Sequence, residues 1–397
     1  MERQLGFIFD HNKCILCNAC VNACTQAYGY HWRKLPVFQI DGYKTALSIA
    51  CNHCRDPKCM DVCPTDAIEK EDNGIVHIAK EKCIGCGYCT WACPYEALEM
   101  GKDSMTKCDL CMSRLGNGMP YCVEACPTGA LAFGWIEGGN QVDYLPPFEI
   151  TKPNFKIITP KEGKIEGEYV KEKEEKNYLG LLSFTIGSEV ALFYSLLRLP
   201  YYAPISIVLL LVTLLLSINH SKFFSRSLKM IYGLKNSWLS REVIFSLLSI
   251  PFFALDLVYS PAYYVAEVLL ALGVASSIMI YMLKSRPSWY NADTPISFIG
   301  SGLTVVLPLA YFFTHDVVFI AVGVLVGALE IITAHEKAKK FNTHERTLFN
   351  IPYIVLIVLS FVFAPLSIIA FVLAIYSEVN HRVEFFKKVI YYGIPNY

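Results

Sequence analysis

The sequence predicts a cysteine-rich α+β domain followed by an all-α membrane bundle of about eight transmembrane helices. Two observations place the division. All 16 cysteines of the 397-residue chain lie between Cys14 and Cys126, whereas the long apolar runs all lie beyond Tyr178. Basic and acidic residues are equal in number, 35 of each, so bulk charge gives no argument for a nucleic-acid partner.

The cysteines form four runs of four. The first and third runs have the spacing C-x2-C-x2-C-x3-C of bacterial cluster-binding proteins, and the second and fourth lengthen one gap. Three thiolates on a short loop can bind three corners of an iron-sulfur cubane, and in two-cluster ferredoxins the fourth cysteine binds the other cluster. The sequence therefore predicts four 4Fe-4S clusters bound by two exchanged pairs of runs. The predicted ligands are Cys14, Cys17, Cys20, Cys24, Cys51, Cys54, Cys59, Cys63, Cys83, Cys86, Cys89, Cys93, Cys108, Cys111, Cys122 and Cys126.

Structural zinc and disulfides are the alternative uses of so many cysteines. Zinc also binds paired C-x-x-C motifs, but zinc does not account for the tight triplets or for the Cys-Pro endings at Pro64, Pro94 and Pro127. Secreted disulfide frameworks do not normally repeat such groups. The N-terminal residues contain no apolar region long enough for a signal peptide, so we expect no export signal.

Short segments near the cysteine runs have the signals of a ferredoxin-like α+β domain. Residues 65–68 and 128–131 each begin with threonine, which often caps helices, and are predicted as short helix starts. Residues 74–78 alternate in the manner of a strand.

Residues 1 to about 135 resemble the four-cluster electron-transfer subunits of the dimethyl sulfoxide reductase type of molybdenum enzyme. The resemblance implies that the first and fourth runs share one pair of clusters and that the second and third share the other. It assigns the cysteines to four sets: Cys14, Cys17, Cys20 and Cys126; Cys24, Cys108, Cys111 and Cys122; Cys51, Cys54, Cys59 and Cys93; and Cys63, Cys83, Cys86 and Cys89.

Two further segments complete the predicted domain organisation. Residues 136–178 alternate in charge and have little to bury, which predicts an exposed linker. Residues 179–397 are predicted to form the membrane domain. Apolar stretches of spanning length occur near 179–197, 202–219, 241–259, 262–283, 295–314 and 316–334, and a final run at 351–376 is broken at Ala364-Pro365 and predicts a helical hairpin.

Eight spans would bring the loops rich in lysine and arginine to the same side as the cysteine-rich domain. By the positive-inside rule this side is predicted to be cytoplasmic. Within the spans, four acidic residues are functional candidates, because a charge in lipid is costly. They are Glu189, Asp256, Glu267 and Glu330. The alternative is a satisfied pair or a position near a helix end, which we favour for Asp256 and Glu267.

The loop between the second and third spans contains a group of polar residues that is a candidate binding site. It runs from His220 through Trp238, Ser240, Arg241 and Glu242. One interpretation is that Ser240 caps the third helix and that Trp238 anchors it at the lipid surface.

Residues 179–397 also resemble the membrane-anchor subunit of dimethyl sulfoxide reductase. That resemblance implies that His220 and Glu242 take part in menaquinol binding and oxidation, and imidazole and carboxylate are suitable bases for the released protons. Haem is not expected, because the histidines His220, His335 and His381 fall at span ends.

The sequence thus predicts a fusion of an electron-transfer subunit and an anchor subunit, passing electrons from quinol to a separate catalytic subunit that holds a molybdenum or tungsten pterin. The catalytic subunit is expected to be separate, because this chain has no G-x-G-x-x-G fingerprint after a strand and no cysteine outside the four runs. No catalytic residue is assigned to this chain. The alternatives are electron flow from a dehydrogenase into the quinone pool and a proton-translocating module based on Glu189 and Glu330.

Overall fold

The computed structural model describes residues 3–158, 165–166, 170–173, 178–217, 222, 224–341, 350–387 and 389–392. The cysteine-rich half consists of short strands and helices, as the predicted ferredoxin-like α+β class requires. Its strands are β1 (Gln4–Asp10), β2 (Val37–Ile40), β3 (Tyr43–Ala46), β4 (Ile68–Lys70), β5 (Val76–Ile78), β6 (Glu99–Met100), β7 (Met105–Thr106), β8 (Leu131–Ile136) and β9 (Phe155–Ile158). Its helices are α1 (Ala19–Tyr28), α2 (Lys58–Asp61), α3 (Tyr88–Ala92) and α4 (Tyr121–Glu124).

A three-stranded sheet supports this half. The central strand β1 pairs antiparallel with β8 and parallel with β9, and it buries Phe7 and Phe9. Gly6 is required in β1 because a Cβ there would overlap the Asn154 carbonyl. The hairpins β2-β3, β4-β5 and β6-β7 lie along the chain between the cysteine runs, so the runs themselves form loops and short helices.

The threonine segments after the second and fourth cysteine runs are not helices, and that prediction is wrong. Each forms a turn that leads into a strand, β4 after Thr65 and β8 after Thr128. The Ala67 amide donates to the Cys63 sulfur at 3.3 Å, so this turn directs a backbone donor at a thiol instead of at a helical carbonyl. The strand predicted at 74–78 is present as β5.

The first part of the predicted exposed linker differs from the structure. Residues 137–158 fold onto the cysteine-rich half, where Tyr144 and Phe155 are buried and β9 completes the sheet. The Tyr144 hydroxyl shares a hydrogen bond of 2.6 Å with His11 Nε2. This packing escaped the sequence analysis because the buried residues are widely spaced among charges and prolines and follow no single period.

Two later pieces of the linker pair with strands elsewhere. Strand β10 (Ile165–Glu166) pairs antiparallel with β2 of the cysteine-rich half. Strand β11 (Val170–Lys173) pairs antiparallel with β12 (Val389–Tyr392), which follows the last helix. One described part of the linker is therefore paired with the cysteine-rich half, and the other is paired with the strand after the last helix.

The second half is helical. Its helices are α5 (Tyr178–Leu196), α6 (Tyr202–Ser217), α7 (Trp238–Asp256), α8 (Ala262–Tyr281), α9 (Asp293–Thr314), α10 (Val317–Phe341), α11 (Asn350–Leu359) and α12 (Leu366–Lys387). Within the described residues, α7, α8, α9, α10 and α12 are long and apolar enough to cross a membrane, and α5, α6 and α11 are apolar over shorter lengths. The predicted break near Pro365 separates α11 from α12, as a residue without an amide donor favours. These elements agree with the predicted all-α membrane bundle.

The two halves share an aromatic contact. Trp91 of α3 packs edge-on against Trp289, at 5.3 Å between ring centroids, and also contacts Tyr281 at the end of α8. The Tyr88 hydroxyl donates to the Ile280 carbonyl at 3.1 Å, and the Ser285 hydroxyl donates to the Trp91 carbonyl at 2.5 Å. This contact holds the third cysteine run against the membrane bundle.

Candidate functional site

Two groups of four cysteines line cavities in the cysteine-rich half. Group A lines one of them and consists of Cys14, Cys17, Cys20 and Cys126. Group D lines the other and consists of Cys63, Cys83, Cys86 and Cys89. Each group takes three cysteines from one run and one from another.

The remaining cysteines form two further groups. In group B the neighbouring thiols with the strongest electrostatic effect on Cys24 are Cys122 and Cys111, and Cys122 likewise acts on Cys108. In group C, Cys51 and Cys93 are the thiols that act most strongly on both Cys54 and Cys59. Group B is Cys24, Cys108, Cys111 and Cys122, and group C is Cys51, Cys54, Cys59 and Cys93. Groups A and D are two of the sets that the family resemblance implies, and each lines one pocket. Groups B and C follow the other two sets, with the electrostatic neighbours given above.

The chemistry of these groups suits iron-sulfur clusters. Burial raises the pKa of Cys24 to about 11 and of Cys86 to about 12, so these thiols keep their protons until a metal displaces them. The Met105 amide lies 3.4 Å from the Cys83 sulfur, a donor of the kind that tunes bound clusters. Among the described residues, no three His, Cys, Asp or Glu side chains converge on a single ion. The cavities of groups A and D are instead surrounded by four thiols each, as a cubane requires.

Two buried cations, which the sequence analysis missed, lie between the cysteine groups. Arg33 is 1% exposed, and its strongest neighbours are thiols of groups A and B. Lys107 donates to the Cys51 sulfur at 3.4 Å and to the Cys108 carbonyl at 3.0 Å, so it joins groups B and C. Burial alone would lower the pKa of Lys107, but the neighbouring thiols raise it, so Lys107 stays charged. Lys107 directly precedes the predicted ligand Cys108, so the sequence could have indicated a cation near a cluster. The sequence around Arg33 contains no such indication.

A large apolar cavity of about 710 Å³ lies where the two halves meet. Its walls come from α5, α6 and α7, from Tyr281 of α8, and from the 3-10 helix Phe224–Lys235. The cysteine-rich half contributes Ile84 and the group D residue Cys86. The cavity therefore extends from the apolar bundle to the edge of a cysteine group.

Glu242 is the predicted quinone residue that lines this cavity. Its side chain is buried, and its polar neighbours include Ser277 on α8 and, within electrostatic reach, Tyr88 and Tyr281. His220 lies outside the described residues.

Trp238, Ser240 and Arg241 do not line the cavity. The Arg241 guanidinium lies 4.3 Å from the centroid of the Trp238 ring and donates to the Leu234 carbonyl at 2.9 Å. The Ser240 hydroxyl donates to the Pro64 carbonyl at 3.0 Å. Helix α7 begins at Trp238 with Ser237 as its N-cap residue, so the prediction of Ser240 as the cap is wrong.

The first turn of α7 binds the second cysteine run. The Ser237 hydroxyl donates to the Val62 carbonyl at 2.9 Å, on the opposite side of Cys63 from the Ser240 contact. Gly233 lies so close to Pro64 that a Cβ would overlap the proline carbonyl. These residues position α7, and with it Glu242, against group D.

The acidic candidates in the bundle have different surroundings. Asp256 accepts a hydrogen bond of 2.7 Å from the Tyr202 hydroxyl near the end of α7, which agrees with the favoured interpretation. The Glu267 oxygens are buried and make no hydrogen bond to a described residue. Glu189 pairs with Arg382, and Glu330 accepts from Thr304.

Known proteins match the cysteine-rich half. A family model described as a 4Fe-4S dicluster domain matches residues 44–136, and one described as a 4Fe-4S binding domain matches residues 11–29. One chain of the anaerobic dimethyl sulfoxide reductase of Haemophilus influenzae is 39% identical over 196 residues, covering 42% of the present protein and 94% of that relative.

Two other relatives are similar over matches of related length. The probable anaerobic dimethyl sulfoxide reductase chain YnfG of Escherichia coli is 40% identical over 186 residues, covering 40% of the present protein and 90% of that relative. One subunit of the sulfite dehydrogenase of Allochromatium vinosum is 35% identical over 164 residues, covering 33% of the present protein and 68% of that relative. The chain belongs to the family of 4Fe-4S electron-transfer subunits of the dimethyl sulfoxide reductase type, here joined to a bundle of apolar helices.

Proposed function

We propose that this chain takes electrons from a quinol in its membrane domain and passes them through four 4Fe-4S clusters to a separate catalytic subunit. The observation that carries the proposal is the large apolar cavity, because Cys86 lines one wall and Glu242 another. A quinol ring in this cavity would have a proton acceptor and a cluster ligand within the same space.

We assign one cluster to each of groups A, B, C and D, with their cysteines as the ligands. A bound 4Fe-4S cluster accepts and donates single electrons. Group D lies at the cavity, and Cys17 of group A is exposed at the surface. The order from quinol to partner would therefore begin at group D and end at group A. Arg33 and Lys107 would stabilise the negative charge that each electron adds.

Residues of this chain would bind the quinol and receive its protons. The walls from α5, α6 and α7 are apolar and suit a quinol ring with its isoprenoid tail. We propose that Glu242 accepts the first proton and that His220 provides the second base. Trp238, Ser240 and Arg241 are positioning residues in this scheme, since their contacts hold the start of α7 against the second cysteine run.

The partner is proposed from the relatives. Several of them are named as one chain or subunit of a dimethyl sulfoxide reductase or sulfite dehydrogenase, so we propose a separate pterin-containing catalytic subunit that reduces a sulfoxide or other sulfur compound. We place the cluster domain on the cytoplasmic side because the loops rich in lysine and arginine lie at that end of the bundle. The sulfite dehydrogenase relative favours a second candidate, in which electrons enter from a dehydrogenase and leave as quinol.

The test is reduction of the clusters by a menaquinol analogue. Purified membrane-embedded protein is mixed with the quinol without oxygen, and the cluster signals are recorded by electron paramagnetic resonance. We expect reduction in the wild type, a strong loss in Glu242→Gln and no loss in Glu267→Gln, a matched control because Glu267 is another buried carboxyl in the bundle. If dithionite reduces the clusters but quinol does not, quinol oxidation is excluded, and quinone reduction is tested next.

A further inference from the structure

A second polar region lies inside the membrane domain, away from the walls of the large cavity. Arg382 of α12 donates from Nη2 to Glu189 Oε2 at 2.9 Å and to the Ser301 hydroxyl at 3.1 Å. Ser301 in turn donates to Glu378 Oε2 at 2.6 Å. All four side chains are at most 1% exposed. We call these residues, from helices α5, α9 and α12, the Glu378 network.

One end of the Glu378 network reaches the surface beside the cluster domain. His381 Nδ1 lies 3.9 Å from Glu378 Oε2, and 27% of the His381 side chain is exposed. The ion pair between Asp293 and Lys337, at 2.8 Å, lies at the same end of the bundle, and Asp293 is within electrostatic reach of His381. Water and a titratable side chain therefore meet the network at this end.

The other end of the network approaches the large cavity. Tyr281 lines that cavity together with Glu242, and its ring packs at 5.3 Å against Phe298. The Arg382 guanidinium lies 3.7 Å from the centroid of the Phe298 ring. Glu189 is itself within reach of Glu242. Tyr281 and Phe298 thus connect the cavity that Glu242 lines to the Arg382 end of the network.

The network contains donors that no described residue satisfies. Arg382 Nε and Nη1 are buried and make no hydrogen bond within the described part of the chain. Buried polar groups are usually satisfied by protein or by ordered water, so these atoms mark positions for internal water. Ionisable groups inside a membrane are costly, and they typically mark ion or proton pathways.

We propose that the Glu378 network carries the proton that Glu242 accepts from the quinol out of the large cavity to the surface beside the cluster domain. The inference rests on the proposed function. When the two O–H bonds of the quinol break, two electrons go to the clusters and then to the partner's electron acceptor. One proton goes to Glu242, past Tyr281 to Glu378, and leaves at His381. The other goes to His220, the proposed second base, and is released on the same side of the membrane. Glu330 lies within electrostatic reach of Glu378 but is not a step of this route.

The direction of proton release is tested in liposomes. The full chain with its clusters is reconstituted in liposomes that contain a menaquinol analogue and a trapped pH dye. Ferricyanide is added outside, and because it cannot cross the membrane it oxidises only molecules whose cluster domain faces outward. We expect one proton outside for each ferricyanide reduced, and no acidification inside. Acidification inside overturns the route.

The residues of the route are tested by the rate of quinol-driven cluster reduction. Glu378→Gln is expected to slow this rate by about tenfold or more and to raise its solvent deuterium isotope effect, while dithionite reduction stays unchanged. Glu378→Asp should restore part of the rate. Glu267→Gln is the matched control, since Glu267 lies toward the end of α8 remote from the cluster domain.

Each outcome separates the route from the quinol site. A wild-type rate and isotope effect in Glu378→Gln overturn the route, and loss of reduction in Glu242→Gln would still support the quinol site. If quinol fails to reduce the wild-type clusters, both proposals are overturned. If Glu378→Gln lacks dithionite-reducible clusters, His381→Gln at the exposed end replaces it, with the same expected slowing and the same overturning result.

Discussion

Arg33 and Lys107 place two positive charges among thiols that are otherwise buried. Arg33 lies beside groups A and B, and Lys107 lies beside groups B and C, while the strongest electrostatic neighbours of Cys89 in group D are all thiols. A cluster that gains an electron becomes more negative, and a cation in a low-dielectric interior stabilises that form. The two cations therefore favour the reduced form of clusters in groups A, B and C, away from the large apolar cavity.

Replacing Arg33 should change the cluster potentials unevenly. Arg33→Gln is expected to lower the reduction potentials of the clusters in groups A and B by about 59 mV, the equivalent of a tenfold change for one electron, and to leave group D unchanged. Potentiometric titration with electron paramagnetic resonance measures each signal. Arg33→Lys should keep the potentials near those of the wild type, and exposed Lys44→Gln is the charge-matched control. An equal shift of all four signals would contradict a local effect.

At the scale of elements, α7 connects the cavity to group D. Ser237 and Ser240 donate to carbonyls on either side of Cys63, and Glu242 follows half a turn later. The same helix therefore positions the proposed proton acceptor and supports a proposed cluster ligand. Movement of α7 would alter both.

Removing the Ser240 hydroxyl should loosen this connection. Ser240→Ala leaves the buried Pro64 carbonyl without its donor, and we expect a stability loss of about 1–3 kcal/mol together with slower quinol-driven reduction. Thermal unfolding and cluster reduction measure the two effects. Ser249→Ala is the control in the same helix, because the Ser249 hydroxyl donates within the helix, to the Ser246 carbonyl at 2.8 Å. Equal losses of stability and of reduction rate in both variants would contradict the proposal that the Ser240 hydroxyl holds α7 against the second cysteine run.

The elements that the sequence predicts well are those with a single strong signal. Spanning helices follow from long apolar runs, and even the break near Pro365 is readable because proline lacks an amide donor. The folding of 137–158 was not readable, since its apolar residues pack only once β1 offers an edge for β9. The role of Ser240 was hidden for the same reason: its partner, Pro64, is distant in sequence and is reached through tertiary contact.

At the scale of the whole molecule, lysines and an arginine join the two halves. Arg226 donates to the Lys80 carbonyl at 2.7 Å and to the Cys83 carbonyl at 3.0 Å, and Lys229 donates to the Glu81 carbonyl at 2.7 Å. The sequence analysis counted these cations only as topology signals. In the structure they also hold the third cysteine run over the cavity.

Removing two of these cations should release the cluster domain. Arg226→Gln combined with Lys229→Gln is expected to increase hydrogen exchange in residues 80–86 and to slow quinol-driven reduction, while dithionite still reduces all clusters. Lys235→Gln, in the same 3-10 helix, is the control for loss of charge alone. Unchanged exchange in the double variant would show that the aromatic contact around Trp91 suffices to hold the halves together.

The pairing of β11 with β12 imposes an order on biosynthesis. One strand precedes all eight helices of the second half and the other follows them, so this pair can close only after the ribosome has made residue 392. Every cysteine of groups A to D is translated long before that point. Cofactor loading of the N-terminal domain can thus proceed while later helices are still entering the membrane, and closure of the strand pair marks a chain whose last helix has been translated and inserted.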